Sequence, residues 1–230
     1  MGFPRSFDLL DLHNHTDRSY DAVNRLEDYE QAHTEGRFHV LAITDHNRID
    51  GALDLAERAS FPVIVGMEID TAEGELIGLF LSEPVQVGLT ARETAERIRG
   101  QGGLVYLQHP FYRLVVRSLE HRAREELAAA GLIDVVEVRN GGPFTGRPDA
   151  RARAWAAARG LAAGAGSDAH EPPDVGCCAV AVPPGPLEPA SLLARLPDGV
   201  IVDRHRSSVG QLATKARYRL LGRGPRRFRR

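Results

Sequence analysis

Histidine and carboxylate side chains recur in short motifs over the first three quarters of the chain. Imidazole and carboxylate groups suit Zn²⁺, Mn²⁺ or Fe²⁺, and these motifs hold no thiolate that would favour a softer metal. A single motif of this kind is a weak signal, because one polar residue is more often a hydrogen-bonded structural group. Together they predict a site for several divalent cations, and they are Asp11-Leu12-His13-Asn14-His15, Ser19-Tyr20-Asp21, Ile43-Thr44-Asp45-His46, Gly66-Met67-Glu68, His109-Pro110 and Gly166-Ser167-Asp168-Ala169-His170.

The first motif contains the pair His13 and His15. Residues two apart in a strand face the same side, so both imidazoles can reach one metal where they leave the sheet. Asp45 precedes His46 and could orient a ligand ring by accepting a hydrogen bond from it. Glu68 supplies a carboxylate able to bridge two cations. These motifs therefore offer ligands to more than one ion.

Short apolar runs alternate with amphipathic segments along the chain, which is typical of βα units around a parallel sheet. We predict strands over Asp8–His13, Phe38–Thr44, Pro62–Met67, Glu75–Leu81, Gly103–Leu107, Ile133–Val138 and Leu161–Gly166. We predict helices that include Leu26–Glu35, Ala52–Ala59, Ala91–Arg99, Leu119–Ala130 and Asp149–Arg159, and Thr90 with Glu93 fits a capping box before the third. Roughly seven strands with helices between most of them favour a barrel or a doubly wound sheet.

The candidate ligands follow the predicted strands in a consistent way. They come after the carboxyl ends of the first, second, third, fifth and seventh strands. In a parallel barrel these ends converge on one face, where a site can be assembled from distant parts of the chain. Histidines that merely fill a core would not favour one end of every strand. The pattern therefore predicts one shared site.

The motifs, taken in this order, resemble those of the PHP domain family, which is named after bacterial DNA polymerases and histidinol phosphatase. The resemblance runs from about residue 8 to residue 171. It implies an α/β fold, a distorted (β/α)₇ barrel of the TIM-like type in a single domain, with a trinuclear metal site. It also implies phosphoesterase activity, the usual role of the family's stand-alone members. We expect residues 1–214 to form this barrel and residues 215–230 to form a basic C-terminal tail.

The resemblance implies two or three divalent ions per chain, of manganese, iron or zinc. The implied ligands are His13, His15, Glu68 and Asp168 for the first ion, the bridging Glu68 with His109 for the second, and Asp21, His46 and His170 for the third. We expect Asp168, His170 and His15 to be the catalytic residues of this set.

One position departs from the family pattern. Many members carry a histidine just before the fourth strand, where this chain has Glu75 in Gly74-Glu75-Leu76-Ile77-Gly78. A carboxylate oxygen can replace an imidazole nitrogen, so we predict that Glu75 is a ligand of the second ion. The alternative is a surface hairpin glutamate, which would leave that ion weakly held and the site working with two.

Two cations can lower the pKa of a water and neutralise phosphoryl oxygens, so hydrolysis here needs no side-chain nucleophile. Arginine is the expected phosphate clamp, because its planar fork matches phosphate geometry. The candidates in predicted loops near the ligand-bearing face are Arg18, Arg113, Arg117 and Arg139, and each could instead face solvent. Asn140, which ends a strand on the same face, could bind substrate or only terminate the strand.

Composition predicts a soluble, cytoplasmic protein without a membrane partner. No run of about eighteen apolar residues occurs, and the first residues lack the apolar core of a signal peptide. Eight of the 29 basic residues lie between Lys215 and Arg230 with no acid among them, so the remainder is acidic, with 21 bases against 31 acids. This tail could contact nucleic acid, or it could be a solvated, partly disordered segment.

Three functions fit these observations. We favour a phosphoesterase acting on a phosphorylated small molecule or a short oligonucleotide. A second is hydrolysis of a carbon–nitrogen bond, as in amidohydrolase barrels, but these commonly use a carboxylated lysine, and the chain's only lysine, Lys215, lies outside the predicted strands. A third is a degenerate barrel that binds metal or nucleic acid as an accessory domain, which would be expected to have lost ligands. Metal content and turnover of a phosphate ester separate the three.

Overall fold

The computed structural model describes residues 7–112, 117–143 and 146–204, together with positions 210, 213 and 216. Its strands are β1 (Asp8–Asp11), β2 (Val40–Ile43), β3 (Val63–Thr71), β4 (Gly74–Leu79), β5 (Leu104–Leu107), β6 (Val135–Asn140), β7 (Ala162–Gly166), β8 (Cys178–Val182) and β9 (Val200–Asp203). Its α-helices are α1 (Leu26–Thr34), α2 (Asp50–Arg58), α3 (Ala91–Gly100), α4 (His121–Ala129), α5 (Gly146–Ala157) and α6 (Pro189–Arg195). Every strand and helix predicted by range is present, with ends shifted by a few residues.

The strands of the described residues form one nine-stranded sheet in the order β7-β6-β5-β4-β3-β2-β1-β8-β9. β1, β2 and β3 run parallel to one another, as do β5, β6 and β7. β4 is antiparallel to both neighbours, because only Ala72 and Glu73 separate it from β3, a link too short for a crossover. The parallel order that is typical of βα units is therefore interrupted at β4.

The sheet curls so that the end of β1 meets the end of β7. The Leu12 N–H donates to the carbonyl oxygen of Ala165 at 3.1 Å, and the Asp168 N–H donates to the carbonyl oxygen of His13 at 2.8 Å. The described part of the chain is thus one mixed α/β domain with a nearly closed, barrel-like sheet. The predicted fold class is confirmed.

Strand alternation decides which side chains fill the barrel. In β4, Ile77 and Leu79 pack inside the barrel with Tyr106, whereas Leu76 packs in the outer cluster that includes residues of α3. Glu75 lies two residues before Ile77 and so projects to the inside, at the mouth. The barrel is apolar in its depth, and its polar side chains gather at this mouth.

Beyond β7 the chain adds β8, α6 and β9, which the sequence pattern did not predict. β8 pairs antiparallel with β1, and β9 pairs with the other edge of β8. All five residues of β8 are buried, so its sequence is a short apolar run without alternation. Such a run does not indicate whether the segment forms a strand or a helix, which is why β8 was not predicted. The predicted tail, residues 215–230, lies outside the described residues apart from position 216. Within the described part of the chain, no helix has both the length and the apolar character needed to cross a membrane.

Candidate metal centre

The mouth of the barrel brings together all nine side chains that were predicted to bind metal. Their imidazole nitrogens and carboxylate oxygens form four groups, in each of which the atoms lie within 4.8 Å of one another. The groups are His13, His15 and Asp168; His13, Glu68 and His109; His15, Asp21, His46 and His170; and His46, Glu68 and Glu75. Because the groups share residues, they form one continuous cluster.

His13 and His15 form the buried base of the cluster. Their Nε2 atoms lie 3.1 Å apart, and each lies 3.2–3.4 Å from one oxygen of Glu68 and one of Asp168. Four tetrahedral ligands at about 2.1 Å from an ion would be about 3.4 Å from one another. The spacing and the chemistry of these atoms therefore fit a divalent cation.

Glu68 connects this base to the neighbouring groups. Its Oε2 atom faces the base and lies 3.6 Å from Nδ1 of His46. Its Oε1 atom lies 3.2 Å from Nε2 of His109 and accepts a hydrogen bond from Nε2 of Gln108 at 3.0 Å. Two oxygens that face different imidazoles are what a bridging ligand requires. The contact from Gln108 was not predicted from sequence.

A third group lies on the open side of the cluster. Oδ2 of Asp21 is 3.2 Å from Nε2 of His46 and 3.4 Å from Nε2 of His170. The side chains of Asp21 and His170 are 18% and 19% exposed, whereas those of His13 and His15 are 0% exposed. Solvent therefore reaches the cluster from the side of Asp21 and His170.

Glu75 joins the cluster from the beginning of β4. The residue is only 4% exposed, and its carboxylate groups with His46 and Glu68. Burial and the neighbouring Glu68 raise the pKa of Glu75 to about 7. A buried carboxyl beside a second carboxylate ionises at a cost unless a cation lies close by. This position is incompatible with a surface hairpin glutamate and supports the proposal that Glu75 binds metal.

Imidazoles and carboxylates shift one another's pKa within the cluster. Burial alone would lower the pKa of His13, but the carboxylates of Asp168 and Glu68 raise it well above its usual value. Burial also opposes a charge on His109, and contact with Glu68 raises its pKa. The pKa of Asp168, which burial would raise, is held well below its usual range by His13 and His15. The carboxylates therefore favour protons on these imidazoles, and a bound cation would displace such protons.

Two buried carboxylates outside the cluster hold the loops that carry it. Asp11 accepts hydrogen bonds from the Ser167 N–H at 2.8 Å, from the Ser167 hydroxyl and from the Gly176 N–H at 3.2 Å. Asp45 accepts hydrogen bonds from the N–H and the hydroxyl of Thr16. Asp45 thus fixes the turn that follows His15, rather than a ligand ring as the sequence suggested.

Two of the clustered residues have an unusual backbone conformation. His109 has a φ of 26° and Asp168 a φ of 49°. This left-handed region is sparsely populated by residues other than glycine, and it persists only where surrounding contacts impose it. The hydrogen bond from the Asp168 N–H to His13 is one such contact. Strained backbone at both positions is typical of a functional site.

Two of the arginines predicted to bind phosphate are exposed in loops. Arg18 is exposed in the loop that leads to Asp21. Arg117 is also exposed and pairs with Asp70 at 2.7 Å. Arg113 lies outside the described residues. Arg18 is therefore the described arginine of this set that is closest in sequence to a clustered side chain.

Arg139 and Asn140 are instead held inside the domain. Arg139 is 11% exposed and donates to Asp149 at 2.6 Å and to Asp203 at 2.9 Å. Asn140 is 2% exposed and donates from Nδ2 to Oδ2 of Asp168 at 3.2 Å. Both side chains therefore have partners within the domain, and their contact with substrate stays a prediction.

Glu137 in β6 is a candidate functional residue that the sequence reasoning missed. It is 1% exposed and lies against His13 at the base of the cluster. The available signal was a carboxylate within the apolar run Val135-Val136-Glu137-Val138, because a buried carboxylate requires polar partners.

The sequence matches known families over most of its length. Residues 11–139 match the family described as PHP domain, and residues 146–201 match the family described as PHP-associated. The uncharacterized protein MJ0417 of Methanocaldococcus jannaschii is 39% identical over 132 residues, which are 57% of this chain and 52% of that protein. The alignments span about half the length of the curated relatives that this chain matches.

Solved structures share the fold at low identity. A two-domain protein from Bacteroides vulgatus that contains a predicted PHP-like metal-dependent phosphoesterase aligns with a TM-score of 0.68 and 17% identity, over 88% of this chain and 68% of its own. The lesion-specific endonuclease EndoQ from Pyrococcus furiosus aligns with a TM-score of 0.60 and 13% identity, over 85% of this chain and 57% of its own. At these identities the alignments establish the architecture of the barrel.

Proposed function

The chain belongs to the PHP domain family, and we propose that it is a metal-dependent phosphoesterase that hydrolyses a phosphomonoester or the end of a short nucleic acid. The observation that carries this proposal is the approach of His13, His15, Glu68 and Asp168 to within 3.1–3.4 Å across the barrel mouth. The likeness of the fold to an endonuclease supports nucleic acid as one of the two substrate classes.

Two or three divalent ions of manganese, iron or zinc are the proposed cofactors. Their proposed ligands are His13, His15, Glu68 and Asp168; Glu68, His109 and Glu75; and Asp21, His46 and His170. Ions bound there would supply Lewis acidity that activates water and neutralises the charge of a phosphoryl group. The protein itself would contribute the imidazole and carboxylate ligands, which lie close together at the barrel mouth.

The clustered residues differ in their access to water. His13 is buried, so its proposed role is only to hold an ion. The side chains of Asp168 and His170 are 12% and 19% exposed at the open side, and Oδ1 of Asp168 lies 3.6 Å from Nδ1 of His170. An attacking water must lose a proton, and these two groups are placed to accept it. The His15 ring packs on the His170 ring with 4.5 Å between centroids, which limits the rotation of that imidazole.

Arg18 is the arginine that we propose for binding the phosphate. It is exposed in the loop between His15 and Asp21. Its backbone N–H donates to the hydroxyl of Thr16 at 3.1 Å, so the start of this loop is fixed while the side chain is exposed. A guanidinium at that place would meet the non-bridging oxygens of a phosphate.

Turnover by purified protein tests the proposal. Protein loaded with Mn²⁺, Fe²⁺ or Zn²⁺ is assayed for phosphate release from p-nitrophenyl phosphate, nucleoside monophosphates and end-phosphorylated oligonucleotides. We expect turnover by the wild type and none by His15→Ala, because that change removes an imidazole shared by two groups. The matched control is His121→Ala, a histidine exposed on α4, which should keep full activity. A metal-containing protein inert toward every ester, or wild-type turnover by His15→Ala, would contradict the proposal.

The same preparation separates this activity from the two alternatives. Lys215 is the only lysine, so the strands provide no residue for a carboxylated lysine bridge. Cleavage of amides without phosphate release would favour the carbon–nitrogen hydrolase. Metal binding without turnover of either class would favour an accessory domain.

A further inference from the structure

Glu137 lies within hydrogen-bonding distance of four groups that can donate to it. Its Oε1 atom lies 3.1 Å from Nδ1 of His13 and accepts from the Tyr106 hydroxyl at 3.1 Å. Its Oε2 atom accepts from the backbone N–H of His109 at 2.8 Å and from Nδ2 of Asn140 at 2.9 Å. A carboxylate can accept all four bonds, because both of its oxygens are acceptors only.

Three of these four contacts lead to proposed metal ligands. A carboxylate oxygen beside Nδ1 of His13 requires the proton on that nitrogen, which leaves Nε2 to give its lone pair to an ion shared with Glu68 and Asp168. The bond to His109 holds its backbone at a φ of 26°. The third contact continues from Asn140 to Oδ2 of Asp168.

We propose that Glu137 is the positioning residue of the metal centre, setting the tautomer of His13 and the placement of His109 and Asp168 together. This inference rests on the proposed function, because it assumes that these residues bind metal. Glu137 itself touches neither ion nor substrate. Its effect is on how tightly the cluster holds a cation, and loss of such a partner typically weakens metal affinity by about 10–100-fold.

Glu137→Gln is the variant that isolates this role, because it keeps the size of the side chain. Glutamine has one acceptor oxygen, and its amide nitrogen would face two of the four donors. We expect the affinity for Zn²⁺, measured by competition with a chelating dye, to fall by about 10–100-fold. The matched control is Asp134→Asn. Asp134 directly precedes the first residue of β6, and its carboxylate accepts hydrogen bonds from Arg99 and from the Val105 N–H. That variant should bind Zn²⁺ as the wild type does.

A second measurement does not depend on how the variant folds. In the zinc-loaded wild type, long-range ¹H–¹⁵N correlations should show His13 protonated at Nδ1 and bound through Nε2. Three results would overturn this inference and leave the proposed function standing. They are a proton on Nε2 of His13, an unchanged Zn²⁺ affinity of folded Glu137→Gln, and an equal loss of Zn²⁺ affinity in Asp134→Asn. Absence of Zn²⁺ binding by the wild type would overturn both.

Discussion

Gly166, the last residue of β7, is the position where one added methyl group should disturb the site most. A Cβ atom there would lie 2.3 Å from Cβ of His13, 2.8 Å from the His13 backbone nitrogen and 2.9 Å from Oε1 of Glu137. Two of these atoms belong to the backbone or the root of a side chain, so rotation of a flexible group cannot relieve the contact. Gly166→Ala must therefore push the end of β1 away from β7.

The size of the effect follows from these distances. Carbon atoms pack at about 3.5–4.0 Å, so a 2.3 Å approach requires a shift of more than about 1 Å. Overpacking of this kind costs about 1–3 kcal/mol of the free energy of unfolding. The same shift carries His13 away from His15 and Asp168, and we expect the metal affinity to fall by about tenfold or more.

The assay is urea unfolding of metal-free protein together with a Zn²⁺ titration. Gly100→Ala is the matched control, since a Cβ there would meet nothing within 4 Å and the residue ends helix α3. That control should be neutral or more stable by up to about 1 kcal/mol, with unchanged metal affinity. Equal stability and equal Zn²⁺ affinity of Gly166→Ala and the wild type would refute the close packing of β7 on the metal centre.

Three further outcomes are expected. Arg139→Met should lower the free energy of unfolding by about 3–5 kcal/mol, because it removes the guanidinium that pairs with the buried carboxylate of Asp149, whereas Arg122→Met in an exposed helical pair should leave the free energy of unfolding nearly unchanged. A stable Arg139→Met with only a raised KM would point to a phosphate clamp instead. Metal binding should release protons and weaken as the pH falls, because the raised pKa values of His13 and His109 favour protonated imidazoles, which must lose a proton to bind an ion. Calorimetry in buffers of different ionisation enthalpy measures this release, and a heat independent of buffer would contradict it. Glu75→Ala should reduce the number of tightly bound ions per chain by one in elemental analysis, and an unchanged count would remove Glu75 from the ligands.

The candidate ligands could be predicted from the sequence because their signals are local. His13 and His15 lie two residues apart at the end of an apolar run, and Asp168 with His170 repeats that spacing after the last predicted strand. Their chemistry is suited to metal whatever the exact register of the sheet. Periodicity then placed the strands well enough to bring them to one mouth.

The supporting contacts could not be predicted, because they join residues that are far apart in sequence. Glu137 meets His13 across 124 positions, and Asp11 meets Ser167 across 156. Arg139 was expected near the ligand-bearing face, but the register of β6 against β7 shifts between Glu137 and Arg139. Such an irregularity changes which way the following side chains point, so counting by two from a predicted strand fails there.

Anomalous diffraction from crystals of the protein grown with Mn²⁺ or Zn²⁺ tests the central claim most directly. We expect a peak between Nε2 of His13, Nε2 of His15 and the carboxylates of Glu68 and Asp168, with further peaks beside His109 and beside Asp21. A map with no anomalous peak at the barrel mouth, or with ions bound only elsewhere on the surface, would contradict the account.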